Sequence, residues 1–185
     1  MQPEKPTLET PLWEYVLSVW SRTSFHGWSL QFERQFAMRP ALLAALAFAG
    51  HHQRCVDIAD VRMLMQVGEE FYRSYHNKLK VLQQKIAHYQ ELGEEVWKTW
   101  NDVMEKTLIQ AMQVELAQLH DKLWKCPMSF ADESTAIRQN WHAYVHQLAL
   151  GNEQCLEATT LLNRLASELL EASRLRSDAV DQALS

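Results

Sequence analysis

The sequence predicts an all-α protein: a helical bundle built around a long antiparallel αα-hairpin, with short N-terminal helices and two C-terminal helices. Apolar residues recur at steps of three and four along most of the chain, which is the period of a helix. The 185 residues include only five glycines and five prolines, fewer than the many turns of an all-β protein require. No repeat or linker divides the chain, so residues 1–185 are interpreted as one helical domain.

The first helices are predicted within residues 10–50, after a flexible leader at residues 1–9. Thr10-Pro11 suits a helix start, because threonine caps a helix and proline fits the first helical position. Pro40 begins a segment that is apolar on every side, which predicts a buried helix at the centre of the N-terminal half. Gly50 provides a C-terminal stop for this helix.

The central hairpin is predicted over residues 57–125, where two long apolar seams follow each other. The first seam begins at Asp57 and continues for about seven turns of helix. Leu92-Gly93 interrupts the pattern, and the segment from Glu94 to Lys125 then repeats it. Two long helices joined by such a short link run antiparallel.

Two C-terminal helices are predicted within residues 129–172. Ser129, followed three residues later by an aspartate, resembles a capping box at the start of the first one. Gly151 closes that helix, and Asn152 caps the last one. The apolar stripe of the last helix thins out afterwards, so residues 173–185 are predicted to be a fraying tail.

Composition disfavours several classes of function. The net charge is -5, and no polybasic block is present, which argues against nucleic-acid binding because that requires a basic surface. The longest apolar stretch, Pro40 to Gly50, is far shorter than the roughly 20 residues of a membrane span. The three cysteines have no paired spacing and no signal peptide is recognised, which favours a cytoplasmic protein with reduced thiols.

Motifs of catalytic and cofactor sites are missing from the sequence. It contains no Gly-rich phosphate loop, no GxSxG nucleophile elbow and no HExxH pair. His51-His52 precede Cys55 at a spacing that could activate the thiol for nucleophilic attack. No third orienting group accompanies them, so a polar linker with one anchoring thiol is favoured. We therefore predict no catalytic residue and no cofactor, and the interpretation leans towards a protein that is not an enzyme.

His142 and His146 are weak candidates for a metal site. Histidines four residues apart lie on one face of a helix and could both bind zinc. A tetrahedral site needs two more ligands, for which His120, Cys126 and Cys155 are the options, and nothing in the sequence brings these close. Two exposed histidines beside a core face are the favoured interpretation, and we predict no metal.

Glu115 stands among apolar residues in the second arm of the predicted hairpin. An unpaired buried charge is very costly, so the sequence favours a position for this carboxylate at the edge of the seam. A buried carboxylate that is paired with a partner is the alternative interpretation.

Seven tryptophans are an unusual number for this chain. Core packing is the default for those on apolar stripes, and a surface for a partner or an apolar ligand is the alternative. The leading hypothesis is a protein–protein interaction module, an adaptor or regulator, that presents a helical face of the hairpin to another protein. Long hairpins often pair, so a homodimer is one option. The predicted partner-binding residues are Phe71, Tyr75, Trp97, Trp100 and Met104.

Other classes of function stay open on the sequence. The main alternative is an enzyme, or a bundle that binds a small ligand or metal in an internal pocket lined by tryptophans with His142 and His146. The long seams also permit an amphipathic binder of lipid or storage granules, which the acidic charge disfavours. A DNA-binding helix-turn-helix ranks last, since the segment between Gly50 and Asp57 is too long for its turn.

Several landmarks lie along residues 12–125: Leu12-Trp13-Glu14-Tyr15, Leu30-Gln31, the Leu/Ala-rich segment Ala41 to Ala49, and Val114-Glu115-Leu116-Ala117 after a long helix. In these landmarks the chain resembles a small bacterial family of uncharacterised all-helical proteins, known as a domain of unknown function. The resemblance implies a helical fold and a bacterial cytoplasmic protein, and it implies no activity and no catalytic residues. This sequence departs from the family pattern between Ser74 and Lys85, where it has lysines and the family has an Arg-rich run.

Overall fold

Helices make up most of the chain in a computed structural model, which describes residues 7–21, 23–87 and 93–183. The predicted fold class, an all-α helical bundle, is confirmed. A π-helical turn, Tyr72–His76, connects α5 to α6, and the strands are β1 (Arg54–Val56) and β2 (Met128–Phe130). The helices are, in chain order, α1 (Pro11–Trp20), α2 (Phe25–Phe36), α3 (Pro40–His51), α4 (Ile58–Gln66), α5 (Glu69–Phe71), α6 (Asn77–Ala87), α7 (Glu94–Leu123), α8 (Glu133–Val145) and α9 (Asn152–Ala183).

Side-chain caps determine where several helices begin. The Thr10 hydroxyl accepts a hydrogen bond from the Trp13 backbone N–H at 3.2 Å, and a proline follows at the first helical position, as predicted. Helix α8 is capped by Asp132, whose carboxylate accepts a hydrogen bond from the Thr135 backbone N–H at 3.0 Å. The predicted helix start at Ser129 is wrong, because Ser129 belongs to β2 and pairs there with β1.

Helix α3 lies at the centre of the core. All its residues from Pro40 to Gly50 are buried, which confirms the prediction for this apolar helix. It packs against α1, α2, α7 and α8. The approach of α8 is so close at Gly50 that a Cβ atom there would lie 2.6 Å from the Ile137 backbone nitrogen. Gly50 therefore permits close helix packing and does not end α3, which continues to His51.

Strands β1 and β2 form a small antiparallel ladder. The sequence does not predict them, because a strand of three residues has no recognisable period. Asn140 on α8 holds β1 in place, since its side-chain oxygen accepts a hydrogen bond from the Val56 backbone N–H at 2.7 Å. Its side-chain nitrogen donates to the backbone carbonyls of Leu46 and Arg54, at 3.1 and 2.9 Å.

The two arms of the predicted hairpin differ in regularity. The second arm is a single helix, α7, of 30 residues. The prediction that the first arm is one unbroken helix from Asp57 is wrong, because α4 ends at Gln66. Gly68 then takes a left-handed conformation with φ of +72°, before α5 begins. Glycine adopts this conformation without steric strain, so the chain turns here although the apolar spacing continues.

Helix α9 is longer than the sequence analysis predicts. Asn152, predicted to cap this helix, is its first residue, and the backbone stays helical to Ala183, beyond the onset of fraying predicted at Ser173. Alanine, leucine and arginine in this last part are good helix formers, which supports helical backbone where the apolar stripe is thin. Among the helices of the described residues, none has both the length and the apolar character needed to cross a membrane.

Candidate functional site

The first candidate site is the part of the hairpin that lies outside the core. We call residues 72–87 together with residues 93–107 the hairpin arm. All residues from 93 to 100 are exposed, whereas buried positions recur along α7 from Ala111 to Leu123. The C-terminal half of α7 is therefore part of the bundle, and its N-terminal half belongs to the arm.

Large apolar side chains are exposed on both helices of the arm. Tyr75 is 59% exposed, Trp97 38% and Trp100 46%. Positions 96, 100 and 103 follow at spacings of four and three, so their side chains share one face of α7. We call these aromatic residues and the exposed aliphatic residues of the arm the apolar surface; the aliphatic members are Val81, Leu82, Val96 and Val103.

The predicted partner-binding residues lie on or beside this apolar surface. Tyr75, Trp97 and Trp100 belong to it. Phe71 is half-buried at its edge, where its ring packs against Tyr75 with the centroids 5.1 Å apart. Met104 is only 4% exposed, so it is not part of the apolar surface.

A buried ion pair lies at the base of the arm. Arg39 donates from Nε to Glu115 Oε1 at 2.8 Å, and its Nη2 also donates to this carboxylate. The guanidinium donates further to the backbone carbonyls of Met65 and Val67, at 2.7 and 2.8 Å. Glu115 is 1% exposed, so the expected edge position is wrong and the paired, buried alternative is correct. Burial raises the pKa of Glu115, and the Arg39 charge opposes that rise.

A second polar group holds the π-helical turn against α2. The Glu33 carboxylate accepts a hydrogen bond from the Tyr72 hydroxyl and forms an ion pair with the Lys80 ammonium. Burial, followed by the hydrogen bond to Glu33, raises the pKa of Tyr72 above its ordinary value. The π-helical turn thus brings two side chains of one helical segment to a single carboxylate.

His76 lies in the same π-helical turn and is buried. Its Nδ1 has no hydrogen-bond partner within the described part of the chain, and its ring lies 5.2 Å from that of Tyr72, centroid to centroid. Burial, and then the nearby Lys80 charge, lowers the pKa of His76 to about 4, so its imidazole is neutral at pH 7. We call this set of buried and partly buried polar groups the anchor network: Glu33, Arg39, Tyr72, His76, Lys80 and Glu115.

A cleft of 650 Å³ between α1, α3 and α9 is a second candidate site. His51 and Glu133 both line it, with the His51 Nδ1 atom 2.7 Å from Glu133 Oε1. A carboxylate on one imidazole nitrogen fixes the tautomer and leaves the other nitrogen available. Tyr15 also lines the cleft, with its ring centroid 5.4 Å from that of His51. Burial, and then the Glu133 charge, raises the pKa of Tyr15.

Cys55 is not among the residues that line this cleft with His51 and His52. It is buried on β1, opposite Ser129, and burial raises the pKa of its thiol. A protonated thiol is a poor nucleophile, which favours the interpretation of Cys55 as an anchoring thiol. The two histidines do not lie in a loop as expected, since His51 ends α3 and His52 caps it.

His142 and His146 form a close pair on the exposed side of α8. Their Nε2 atoms are 3.3 Å apart, and their rings are nearly perpendicular, at 86°. His120, Cys126 and Cys155 do not complete a site around them. Throughout the described ranges, no group of three or more His, Cys, Asp or Glu side chains is placed to hold a metal ion.

Comparisons of the chain with family models, curated proteins and solved structures find no match. The resemblance to a bacterial helical family therefore stays a prediction. The class of the protein is defined by its own geometry: an all-helical bundle with an exposed apolar arm that is held by a buried polar anchor.

Proposed function

We propose that the protein is a non-enzymatic protein–protein interaction module, an adaptor or regulator, that binds a partner through the hairpin arm. The exposed aromatic residues of the arm carry this proposal. Contiguous apolar side chains on a protein surface commonly mark interaction sites, and tryptophan and tyrosine dominate binding hot spots. Tyr75, Trp97 and Trp100 are the side chains that a partner would cover first.

The arm suits a helical partner. Two packed helices leave a groove on either side of their contact line, because their cylinders touch along a narrow strip. Trp97 and Trp100 stand on the helix that borders such a groove. A partner helix with apolar residues at steps of three and four could lie there and bury its own apolar face.

The anchor network supports a binding role because it holds the arm in place before a partner arrives. The ion pair of Arg39 with Glu115 lies at the base of the hairpin arm and holds it there. The hydrogen bond of Tyr72 to Glu33 holds the π-helical turn. A surface that is already ordered loses less conformational entropy on binding. Buried ion pairs add little net stability compared with apolar packing. We therefore propose that the anchor network serves to orient the hairpin arm.

A second copy of the chain is one partner that fits the charges of the arm. Between residues 72 and 87 every Asp, Glu, Lys or Arg side chain is basic, whereas four of the six between residues 94 and 106 are acidic. Two arms that pair in opposite directions would place the basic helix of one against the acidic helix of the other.

We place this module in the cytoplasm. Cys55, Cys126 and Cys155 are free, and free thiols fit a reducing compartment better than the oxidising environment of secreted proteins. The negative net charge favours a protein partner over a nucleic acid.

Site-specific photo-crosslinking in the native host tests the proposed function. We expect a photo-reactive amino acid at position 97 or 100 to give a discrete crosslinked protein. Leu156 on α9 is the matched control position, since it is an apolar residue that is 70% exposed but lies outside the arm. The proposal is abandoned if positions 97 and 100 give no product, or only the products found at position 156.

A small-ligand binder or an enzyme is a second candidate, and the cleft beside His51 favours it. Its volume of 650 Å³ is typical of small-molecule sites, and an imidazole oriented by Glu133 could exchange a proton or hydrogen bond with a ligand. Ligand-observed NMR with small carboxylic acids and alcohols tests it. Binding should be lost in His51→Gln and kept in His142→Gln, and the absence of any His51-dependent ligand would count against this candidate.

A further inference from the structure

The histidine pair of α8 has the separation of two ligands of one metal ion. The Nε2 atoms of His142 and His146 are 3.3 Å apart, closer than the ring centroids, which are 4.3 Å apart. Metal–imidazole bonds of about 2.05 Å at a tetrahedral angle place two nitrogens about 3.3 Å from each other. The two Nε2 atoms share a hydrogen bond in the structure, and an ion that replaces its proton requires about the same separation of the two nitrogens.

The backbone that carries both histidines is fixed by packing on the opposite side of α8. Trp141 is buried, and its Nε1 donates a hydrogen bond at 2.9 Å to a backbone carbonyl of α3. Tyr144 is buried as well, and its hydroxyl accepts a hydrogen bond from the Arg39 backbone N–H at 2.9 Å. The two imidazoles are thus held one helical turn apart, so chelation requires only small rotations of exposed side chains.

The surroundings of the pair favour a cation. A hollow of 560 Å³ borders both histidines and is also lined by Asp57 and Gln139. No lysine or arginine is among the described residues that line it. Carboxylate and amide oxygens near a bound ion can hold its water ligands and orient them.

We propose that His142 and His146 chelate a divalent transition-metal ion of the zinc, nickel or copper(II) group, to which imidazole is suited. Two protein ligands leave coordination positions for water or for a donor atom of another molecule, unlike the closed site of a structural zinc. The site lies on α8 and not on the hairpin arm, so it goes beyond the proposed function and does not depend on it.

Isothermal titration of tag-free protein with NiCl₂ or ZnCl₂ at neutral pH tests this site. We expect one ion to bind per chain. Either His142→Gln or His146→Gln should weaken binding by about tenfold or more, since even the loss of an outer-shell partner has an effect of this size. Circular dichroism verifies that these exposed substitutions leave the helical fold unchanged.

Two controls separate this pair from non-specific binding by histidine. His26→Gln removes another exposed histidine, on α2, and should leave the affinity unchanged. Combining His146→Gln with Gln147→His keeps the number of histidines but moves the second one off the shared face, so the affinity should fall. The inference is overturned if the shifted variant binds like the wild type, or if the wild type binds no more metal than a variant lacking both histidines.

Discussion

Arg39 connects three helices from one buried position. Its side chain binds Glu115 on α7 and the carbonyls at the end of α4, and its backbone N–H donates to Tyr144 on α8. Burial removes the positive charge of its guanidinium from water, and that cost is offset only by the groups that bind it. Removal of Glu115 would leave this buried charge with only the more distant and more exposed Glu69 carboxylate, 3.9 Å from Nη1, and the loss of a buried partner costs more than the intact pair contributes.

We expect Glu115→Gln to lower the free energy of unfolding by about 3–5 kcal/mol, because Arg39 then lacks a buried counter-charge. Urea unfolding at neutral pH measures this change. Glu105→Gln, at an exposed position of the same helix, is the control and should change stability by less than about 0.5 kcal/mol. The double variant Arg39→Met with Glu115→Leu should regain part of the loss, and a double variant as unstable as Glu115→Gln would contradict this explanation.

His76 makes stability depend on pH in a defined window. Its pKa is lowered from 6.5 to about 4 in the folded protein, chiefly by burial. Between these values the unfolded chain binds a proton that the folded chain does not, so stability falls as pH is lowered. From the two pKa values we expect this imidazole to lower the free energy of unfolding by about 2 kcal/mol at pH 5.

Urea unfolding at pH 7 and pH 5 measures that loss, and His76→Phe should reduce the difference between the two. The matched control is His26→Gln, which removes an exposed histidine and should keep the wild-type pH dependence. An unchanged pH dependence in His76→Phe would show that other groups cause the loss.

At the scale of elements, the crossing of α3 and α8 depends on a missing side chain. Alanine is favoured over glycine inside a helix by about 1 kcal/mol. At Gly50, however, an added Cβ would lie 2.6 Å from Ile137 backbone and side-chain atoms, and backbone atoms cannot move aside cheaply. Overpacking costs about 1–3 kcal/mol. The steric cost of the added methyl group should therefore exceed the gain in helix propensity.

We expect Gly50→Ala to destabilise the protein by up to about 2 kcal/mol, the difference between overpacking and helix propensity. Gly27→Ala is the matched control within α2, where an added Cβ meets nothing within 4 Å. That change should stabilise the protein by up to about 1 kcal/mol. Thermal unfolding shows whether each substitution stabilises or destabilises the protein. A stabilised Gly50→Ala would contradict the close packing of α3 against α8.

The sequence predicts α3 and α7 well, because a proline followed by a continuous apolar run indicates α3, and apolar residues at steps of three and four indicate α7. The same patterns do not reveal Gly68 as a break, since the apolar spacing continues through it. Arg39 and Glu115 lie 76 residues apart in the sequence. Sequence patterns relate only nearby residues, so they cannot predict this pair.

Among the candidate sites, the sequence names Trp97 and Trp100 as partner-binding residues but favours core packing as the default for tryptophans on apolar stripes, and their exposure follows only from the fold. The contact of Glu133 with His51 likewise cannot be predicted from the sequence.

At the scale of the whole molecule, burial is distributed unevenly between the bundle and the hairpin arm. Local opening costs little where few apolar contacts hold the backbone and approaches the global stability in the core. Helix α3 is buried along its length, while residues 93–100 are exposed on every side. The two regions should therefore differ in the free energy needed to open them.

Hydrogen exchange followed by mass spectrometry measures this difference. We expect amides of residues 93–107 to exchange at least about tenfold faster than those of residues 40–51 in the isolated protein. A bound partner should slow exchange in the arm and leave α3 unchanged. Equal protection of both segments in the isolated protein would contradict an arm that lies outside the core.

The π-helical turn at Tyr72–His76 has a consequence for chain length. Its i→i+5 bonding accommodates one residue more than an α-helical turn, so the sequence after it is out of phase with the sequence before it. Deleting one residue here would restore regular winding and leave the direction of α6 unchanged, because the π-helical turn takes up the extra residue within a single turn. A codon lost from a regular helix such as α7 would instead rotate the side chains that follow it by about 100°.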